Sequence, residues 1–406
     1  MTATKAELEQ QYEELRARTL SLDLTRGKPS PEQLDLSNAL LELPGAGEYR
    51  DASGVDLRNY GGPDGNLELR AIFGELLEIP AAQLLALGNA SLSIMHDTIV
   101  HALLHGVPGG SAWRDDDIAF LCPVPGYDRH FAICEALGIR MIPVPFIDDR
   151  LDIATIKTLV ADDPSIRGMW CVPMYANPTG IVYTAEEIEA LVGMETAAPD
   201  FRLFWDNAYA VHHLTDDEPA VFDVLSAAAR AGYPDRPLVF ASTSKITHPG
   251  SGVAFFGASP DNVAWFRKHS FVQTIGPDKL NQLRHLKLLQ SADGVRRHMR
   301  AHRAIVEPRF AAVLQILERR LTGVATWSHP TGGYFISLDV PPGTASKAIA
   351  LAGEAGVAVT PAGSTYPYRD DPADANIRIA PTFPSLAELE AAIDALCTCV
   401  LLAAAS

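Results

Sequence analysis

The feature that most limits how this chain can fold is an alternation running from about residue 84 to residue 257. Short apolar runs at 84–88, 117–122, 140–144, 168–173, 201–205, 238–241 and 252–257 have the length and composition of buried strands. Between them, 92–104, 127–137 and the stretch opening at Thr184 carry helical spacing, and Thr184 with Glu187 three residues on forms a capping box. Repeated strand-helix-strand units bring successive strands parallel, and a parallel sheet must be covered by helices on both faces. The expected fold is therefore α/β, with a mostly parallel seven-stranded sheet. Its ligands belong at the carboxyl ends of the strands.

The last third changes character. Residues 291–321 read as one or two long helices rich in Arg and His. After them come a strand at 330–339, a helix at 344–355, strands at 356–360 and 376–380, and a closing helix at 385–402. That is a small α+β unit, which the charged N-terminal helix at 5–20 is expected to join. The 406 residues exceed one ordinary core. The expected division is a large domain at 61–290 and a small domain built from 1–60 and 291–406.

A formal net charge of −17 argues against nucleic acid or an anionic membrane as a general partner. Any anionic ligand must be gripped by a few local donors. Cys122, Cys134, Cys171, Cys397 and Cys399 are odd in number and scattered. That pattern gives no disulfide framework and suits a reducing compartment. Residues 1–20 lack the apolar core of a signal peptide, and no stretch has the length and hydropathy of a membrane span. A cytoplasmic location is expected.

The chemistry begins at Leu238-Val-Phe-Ala-Ser-Thr-Ser-Lys245, an apolar strand running into three hydroxyls and a lysine. An amine with apolar walls has a lowered pKa and suits imine formation, and the hydroxyls suit a phosphate. A lone Ser-Lys is more often a surface lysine at a strand end, so the context decides. Asn89-Ala90-Ser91 opens a helix after a strand and offers free N–H groups to an anion, although an ordinary N-cap accounts for Ser91 as well. Tyr60 precedes two glycines in the turn-rich segment Asn59 to Asn66 and should project from a loop. Arg26 and Lys28 flank Gly27 in a tight turn, either solvated or an arm over an anionic site. Asn177, Asp206, Tyr209 and Lys245 all fall at ends of expected strands. A lysine, a buried acid and two donors facing a phenolic oxygen are what pyridoxal phosphate needs.

In this order the motifs resemble the fold-type I pyridoxal-phosphate aminotransferases, the aspartate aminotransferase superfamily, and most nearly its divergent bacterial aspartate or MocR-like branch. The resemblance runs from Gly27 to Arg378. It implies that Lys245 carries the cofactor as an imine and moves the substrate proton, and that Asp206 pairs with the ring nitrogen. Tyr209, in Asp-Asn-Ala-Tyr, and Asn177, in Asn-Pro-Thr-Gly, would serve the phenolic oxygen, while Tyr127, in Pro-Gly-Tyr, stacks on the ring. Ala90, Ser91, Ser242 and Ser244 would meet the phosphate, joined by Tyr60 across the boundary of a homodimer. Arg378, in Ile-Arg-Ile-Ala-Pro, would clamp the substrate α-carboxylate, with Asn177 beside it, and Gly27 would let the N-terminal loop close.

The implied reaction is transfer of an amino group from an L-amino acid, aspartate or glutamate first, to a 2-oxo acid. Arg26, Lys28 and Arg284 are candidates for a second carboxylate. One departure stands out: Lys245-Ile-Thr-His-Pro-Gly-Ser-Gly252 lacks the phosphate-gripping arginine of much of the superfamily, leaving hydroxyls and helix N–H groups, with His248 or a lysine such as Lys279, to compensate. A lyase or decarboxylase on the same scaffold is the second reading. A non-enzymatic sensor is a third, which lacks its usual basic winged-helix region here.

Overall fold

The computed structural model describes residues 4–25 and 27–405. After a helix at Lys5–Ala17 comes a short strand, β1 (Leu22–Asp23). The alternating region follows with β2 (Leu84–Ala86), β3 (Ala119–Val124), β4 (Arg140–Ile147), β5 (Arg150–Leu151) and β6 (Ile166–Cys171). It continues through β7 (Arg202–Asp206), β8 (Pro237–Ser242) and β9 (Ala254–Ala258). These make one sheet in the order β2-β9-β8-β7-β6-β3-β4-β5. β8, β7, β6, β3 and β4 are parallel, whereas β9 runs antiparallel to both its neighbours. The seven expected strands are all present. An eighth, β5, is a two-residue edge strand folded back on β4 through Asp148 and Asp149, both at positive φ.

Every residue of β3, β7, β8 and β9 is buried. Strands covered on both faces need side chains that are apolar without alternation, and Leu238, Val239 and Phe240 supply that. Phe120, Phe204, Phe240 and Phe256 interlock on one face of the sheet. Each such ring contributes roughly 1.5–3 kcal/mol by leaving water.

A second, separate core holds Leu8, Tyr12 and Leu15 of the first helix against the C-terminal helix Leu386–Ala404 and a three-stranded antiparallel sheet. That sheet comprises β10 (Thr326–Trp327), β11 (Ile336–Asp339) and β13 (Asn376–Ile379), in the order β10-β11-β13. β1 pairs in parallel with β12 (Val357–Ala358). The helix Ala292–Leu321 is single and unbroken despite Pro308, and joins the two cores.

The strand expected at 330–339 is shorter than its sequence suggests. Gly332 and Gly333 lie against the Tyr175 ring where a β-carbon would collide, and Gly333 has φ +84°. The backbone there bonds to residues 212–214 in place of a sheet neighbour: Gly333 N–H donates to His212 O at 2.8 Å, and Leu214 N–H to Thr331 O at 2.8 Å. Cys397 and Cys399 are buried in the second core, and all five thiols are free and buried. No helix among the described residues is long and apolar enough to cross a membrane.

Candidate active site

The four adjacent parallel strands β8, β7, β6 and β3 deliver Lys245, Asp206, Asn177 and Tyr127 from their carboxyl ends. Asp206 is the last residue of β7, and Lys245 follows β8 by one tight turn in which Ile246 N–H and Thr247 N–H both donate to Thr243 O. The Lys245 carbonyl accepts from His212 Nε2 and from the Tyr334 hydroxyl, each at 3.3 Å. Because that oxygen can only accept, the His212 proton sits on Nε2. Burial pushes the His212 pKa well below its usual value and keeps the ring neutral. The Lys245 amine lies 4.9 Å from the centre of the Tyr209 ring. Burial lowers its pKa, with the Asp206 charge pulling the other way. A lysine so placed is closer to being a free nucleophile than one in water.

Asp206 is 3% exposed. Its Oδ2 meets His130 Nε2 at 3.0 Å, and His130 is stacked on Trp170 with ring centres 4.1 Å apart. Its Oδ1 is buried and has no hydrogen-bond partner among the described residues. A buried carboxylate oxygen without a donor is costly unless a ligand supplies one. A protonated pyridine nitrogen is such a donor, so the residues present fit a pyridoxal ring. Tyr127 sets its ring edge-on to His130 at 4.9 Å. Burial raises the pKa of both Tyr127 and Tyr209, and the two phenols, Asp206 and Arg378 lie close enough to act on one another.

His130 and Trp170 are absent from the residues read out of the sequence. The signal for His130 was present: it stands three residues beyond Tyr127 on one helical turn, and its N–H donates to Tyr127 O at 3.1 Å. Residues at that spacing share a face.

At the other end of the cleft, Ala90 and not Ser91 is the N-cap of the helix Ser91–His105, and its methyl group cannot cap. The capping explanation of Ser91 therefore fails, and the first-turn N–H groups have no side-chain acceptor there. The Ser242 hydroxyl donates to Ser244 Oγ at 3.0 Å, and Ser244 Oγ reaches Asn89 O at 3.5 Å. Gly252 approaches the same place, where a β-carbon would stand 3.2 Å from Asn89 O and 3.1 Å from Thr243 Oγ1. Neither substitute for the missing arginine is free to move in. Lys279 Nζ donates to Asn59 O and Gly61 O at 3.0 and 2.6 Å, and His248 Nε2 is bonded to Leu34 O at 3.1 Å. Lys279 instead fixes the loop on which Tyr60 stands 84% exposed.

Arg378 is 7% exposed and donates from Nη1 to Asp128 Oδ1 at 2.8 Å, with Asn177 Oδ1 at 3.4 Å. Its guanidinium carbon lies 5.0 Å from the centre of the Phe335 ring. The tip of that ring presses on Gly27, where any β-carbon would collide with it. Among the second-carboxylate candidates, Arg284 Nε is bonded to Leu43 O at 2.7 Å, and Lys28 Nζ sits 3.7 Å over the Phe383 ring. Arg26 lies outside the described residues.

The whole chain, residues 1–406, matches the family model described as aspartate amino-transferase. A Corynebacterium glutamicum protein named aspartate aminotransferase is 50% identical over 98% of this chain and 93% of its own length. A Mycolicibacterium smegmatis protein named as an aminotransferase is 60% identical over 98% of this chain and 95% of its own. The crystal structure of an aspartate transaminase from C. glutamicum superposes with a TM-score of 0.97 at 49% identity, covering 99% of this chain and 95% of that one. An α-aminoadipate aminotransferase from Thermus thermophilus, complexed with N-(5'-phosphopyridoxyl)-L-leucine, shares the fold at 20% identity and a TM-score of 0.76, covering 95% and 94% of the two chains. With lysine, buried acid and two phenols gathered at one sheet edge, and with relatives of this kind matched over 93–95% of their own length, the chain belongs to the aspartate aminotransferase family.

Proposed function

We propose that the chain is a pyridoxal-phosphate-dependent aminotransferase that takes aspartate or glutamate as first-choice amino donor and a 2-oxo acid as acceptor. The observation that carries the cofactor assignment is the unpartnered, buried Oδ1 of Asp206, on the strand next to the one that leads into Lys245. When bound, the cofactor supplies an electron-accepting ring and an aldehyde that exchanges its oxygen for the substrate's nitrogen.

The chain's own groups account for the rest. Asp206, held by His130, keeps a proton on the ring nitrogen. Tyr209 and Asn177 donate to the phenolic oxygen, and Tyr127 covers a ring face. The first-turn N–H groups at Ala90 and Ser91, with the Ser242 and Ser244 hydroxyls, hold the phosphate. Lys245 is the covalent anchor and then the base that takes the proton from the substrate α-carbon. Arg378 binds the α-carboxylate in the corner bounded by Phe335, and Gly27 lets the N-terminal segment close against that ring.

The working unit in this reading is a homodimer in which Tyr60 of each chain completes the other's phosphate site. The exposed Tyr60, Phe271, Val272 and Ile275 are consistent with a covered surface. The cluster shared by the first helix, the three-stranded sheet and the C-terminal helix is separate from the two that cover the faces of the large sheet, which supports a division into residues 61–290 against 1–60 with 291–406. A fourth cluster of Tyr175, Tyr209, Tyr334 and Phe335 lies where the two parts meet. Five free thiols agree with a cytoplasmic location.

The test is a panel of amino donors with purified holoenzyme, following the cofactor's absorbance and the oxo acid formed. Aspartate or glutamate should shift the spectrum and yield the matching oxo acid. Release of carbon dioxide or ammonia without an oxo-acid requirement would replace this reading with a lyase.

A further inference from the structure

Arg378 presents an unusual inventory of donors. Nη1 is taken by Asp128 and approached by Asn177, while Nε is buried with no acceptor among the described residues. A guanidinium offers a carboxylate two bidentate edges, one through both Nη atoms and one through Nε and an Nη. With Nη1 engaged, the edge through Nε and Nη2 is the one left to a ligand. Asp128 is the first residue of the helix Asp128–Ala136, directly after the ring-covering Tyr127, so its backbone is fixed by the same strand end. Its carboxylate is 31% exposed, against 7% for the arginine. The acid therefore stands on the solvent side, and the guanidinium is enclosed behind it. A buried cation also costs free energy unless a partner compensates it.

We propose that Asp128 is a positioning residue. It holds the Nη1 end of Arg378 so that the Nε–Nη2 edge is set to receive the α-carboxylate of both the amino acid and the 2-oxo acid. This rests on the aminotransferase reading above and assigns a role that the strand-end motifs do not contain. Asp128 acts through Arg378 and touches no reacting atom, so its effect belongs in binding and not in the chemical step.

The experiment compares holoenzyme carrying Asp128→Ala or Asp128→Asn with wild type. Steady-state kinetics are run with aspartate as donor and 2-oxoglutarate as acceptor, following oxaloacetate, and succinate, which carries carboxylates but no amine, is titrated by calorimetry. Loss of a charge-assisted hydrogen bond predicts that Asp128→Ala raises both KM values and the succinate Kd by roughly tenfold or more. The kcat should stay within about twofold, the signature of lost uniform binding. Asp128→Asn keeps an acceptor oxygen and should restore most of the affinity.

If Asp128→Ala leaves KM and Kd unmoved, the proposal is overturned. It is equally overturned if that variant binds succinate more tightly, because Asp128 would then be a competitor for the arginine. A kcat loss with unchanged KM overturns it too. A wild-type holoenzyme that transfers no amino group from any donor would sink the aminotransferase reading itself, a result distinct from all three.

Discussion

The two ends of the cleft are built on opposite principles. At the ring end a buried carboxylate is held by a buried histidine, which is itself stacked on a tryptophan, so charge is present and its geometry is fixed within one chain. At the phosphate end the groups are neutral: two serine hydroxyls, a glycine and the open first turn of a helix. A helix N-terminus contributes about 0.3–1 kcal/mol toward an exposed anion and up to about 2 when partly buried. Truncating one partner of a buried ion pair costs about 3–5 kcal/mol. The first end concentrates its interaction in one contact, and the second spreads it over many small ones. Damage should therefore be abrupt at one end and graded at the other.

The largest effect is expected from Lys245→Ala, which removes the anchor and the proton-transfer group together. Oxo-acid-dependent amino transfer should fall by about 10⁴-fold or more. Normal turnover with any donor would remove the lysine from the mechanism. Asp206→Ala should follow, with kcat down by roughly 10²–10⁴-fold and the bound cofactor's absorbance altered as its ring nitrogen loses the proton. At the other end, the double change Ser242→Ala with Ser244→Ala should weaken cofactor retention about thirtyfold, since two neutral hydrogen bonds contribute about 1 kcal/mol each. Equilibrium dialysis reads this directly, and a complete loss of binding would mean that the phosphate end is as concentrated as the ring end.

The smallest effect concerns the layer beneath Lys245. Burial first, and the neighbouring His298 second, lower the His302 pKa to about 4. Between pH 4 and the usual histidine value the unfolded chain binds a proton that the folded chain refuses, so stability should rise with pH across that window and fall on acidification. His302 also faces Gln33, whose amide lies 3.0 Å from Nδ1. His302→Gln should flatten the melting-temperature profile over that range by a few degrees, measured on cofactor-free protein. An unchanged slope would place the titration elsewhere among the buried histidines.

Much of the sheet could be read from the sequence because strands buried on both faces must be apolar throughout, and 201–205 and 238–241 are. The candidate catalytic positions were legible for a related reason: Asp206 and Lys245 interrupt or end those runs with groups that apolar cores do not otherwise tolerate. Other features depended on pairings between residues distant in sequence. Nothing near Asp206 in the chain points to His130, and Arg378 meets Asp128 across 250 positions. The shortening of the strand at 330–339 came from the Tyr175 ring, which a reading of local pattern does not see. The fate of Lys279 was hidden likewise, since its amine answers carbonyl groups 218 and 220 residues away.

The unbroken helix Ala292–Leu321 carries a mechanical implication. Thirty residues at about 1.5 Å each make a rod of roughly 45 Å. Its first turns are embedded with Leu289 and Val295 in the large core, and its last turns with Val313 and Leu317 in the other. A stiff lever anchored in this way converts a tilt of a few degrees at one end into ångströms of travel at the far one. Arg378 belongs to the sheet of the second core, whereas the Asp128 and Asn177 that meet it stand at the large sheet, so any tilt of this rod would be felt first at that contact.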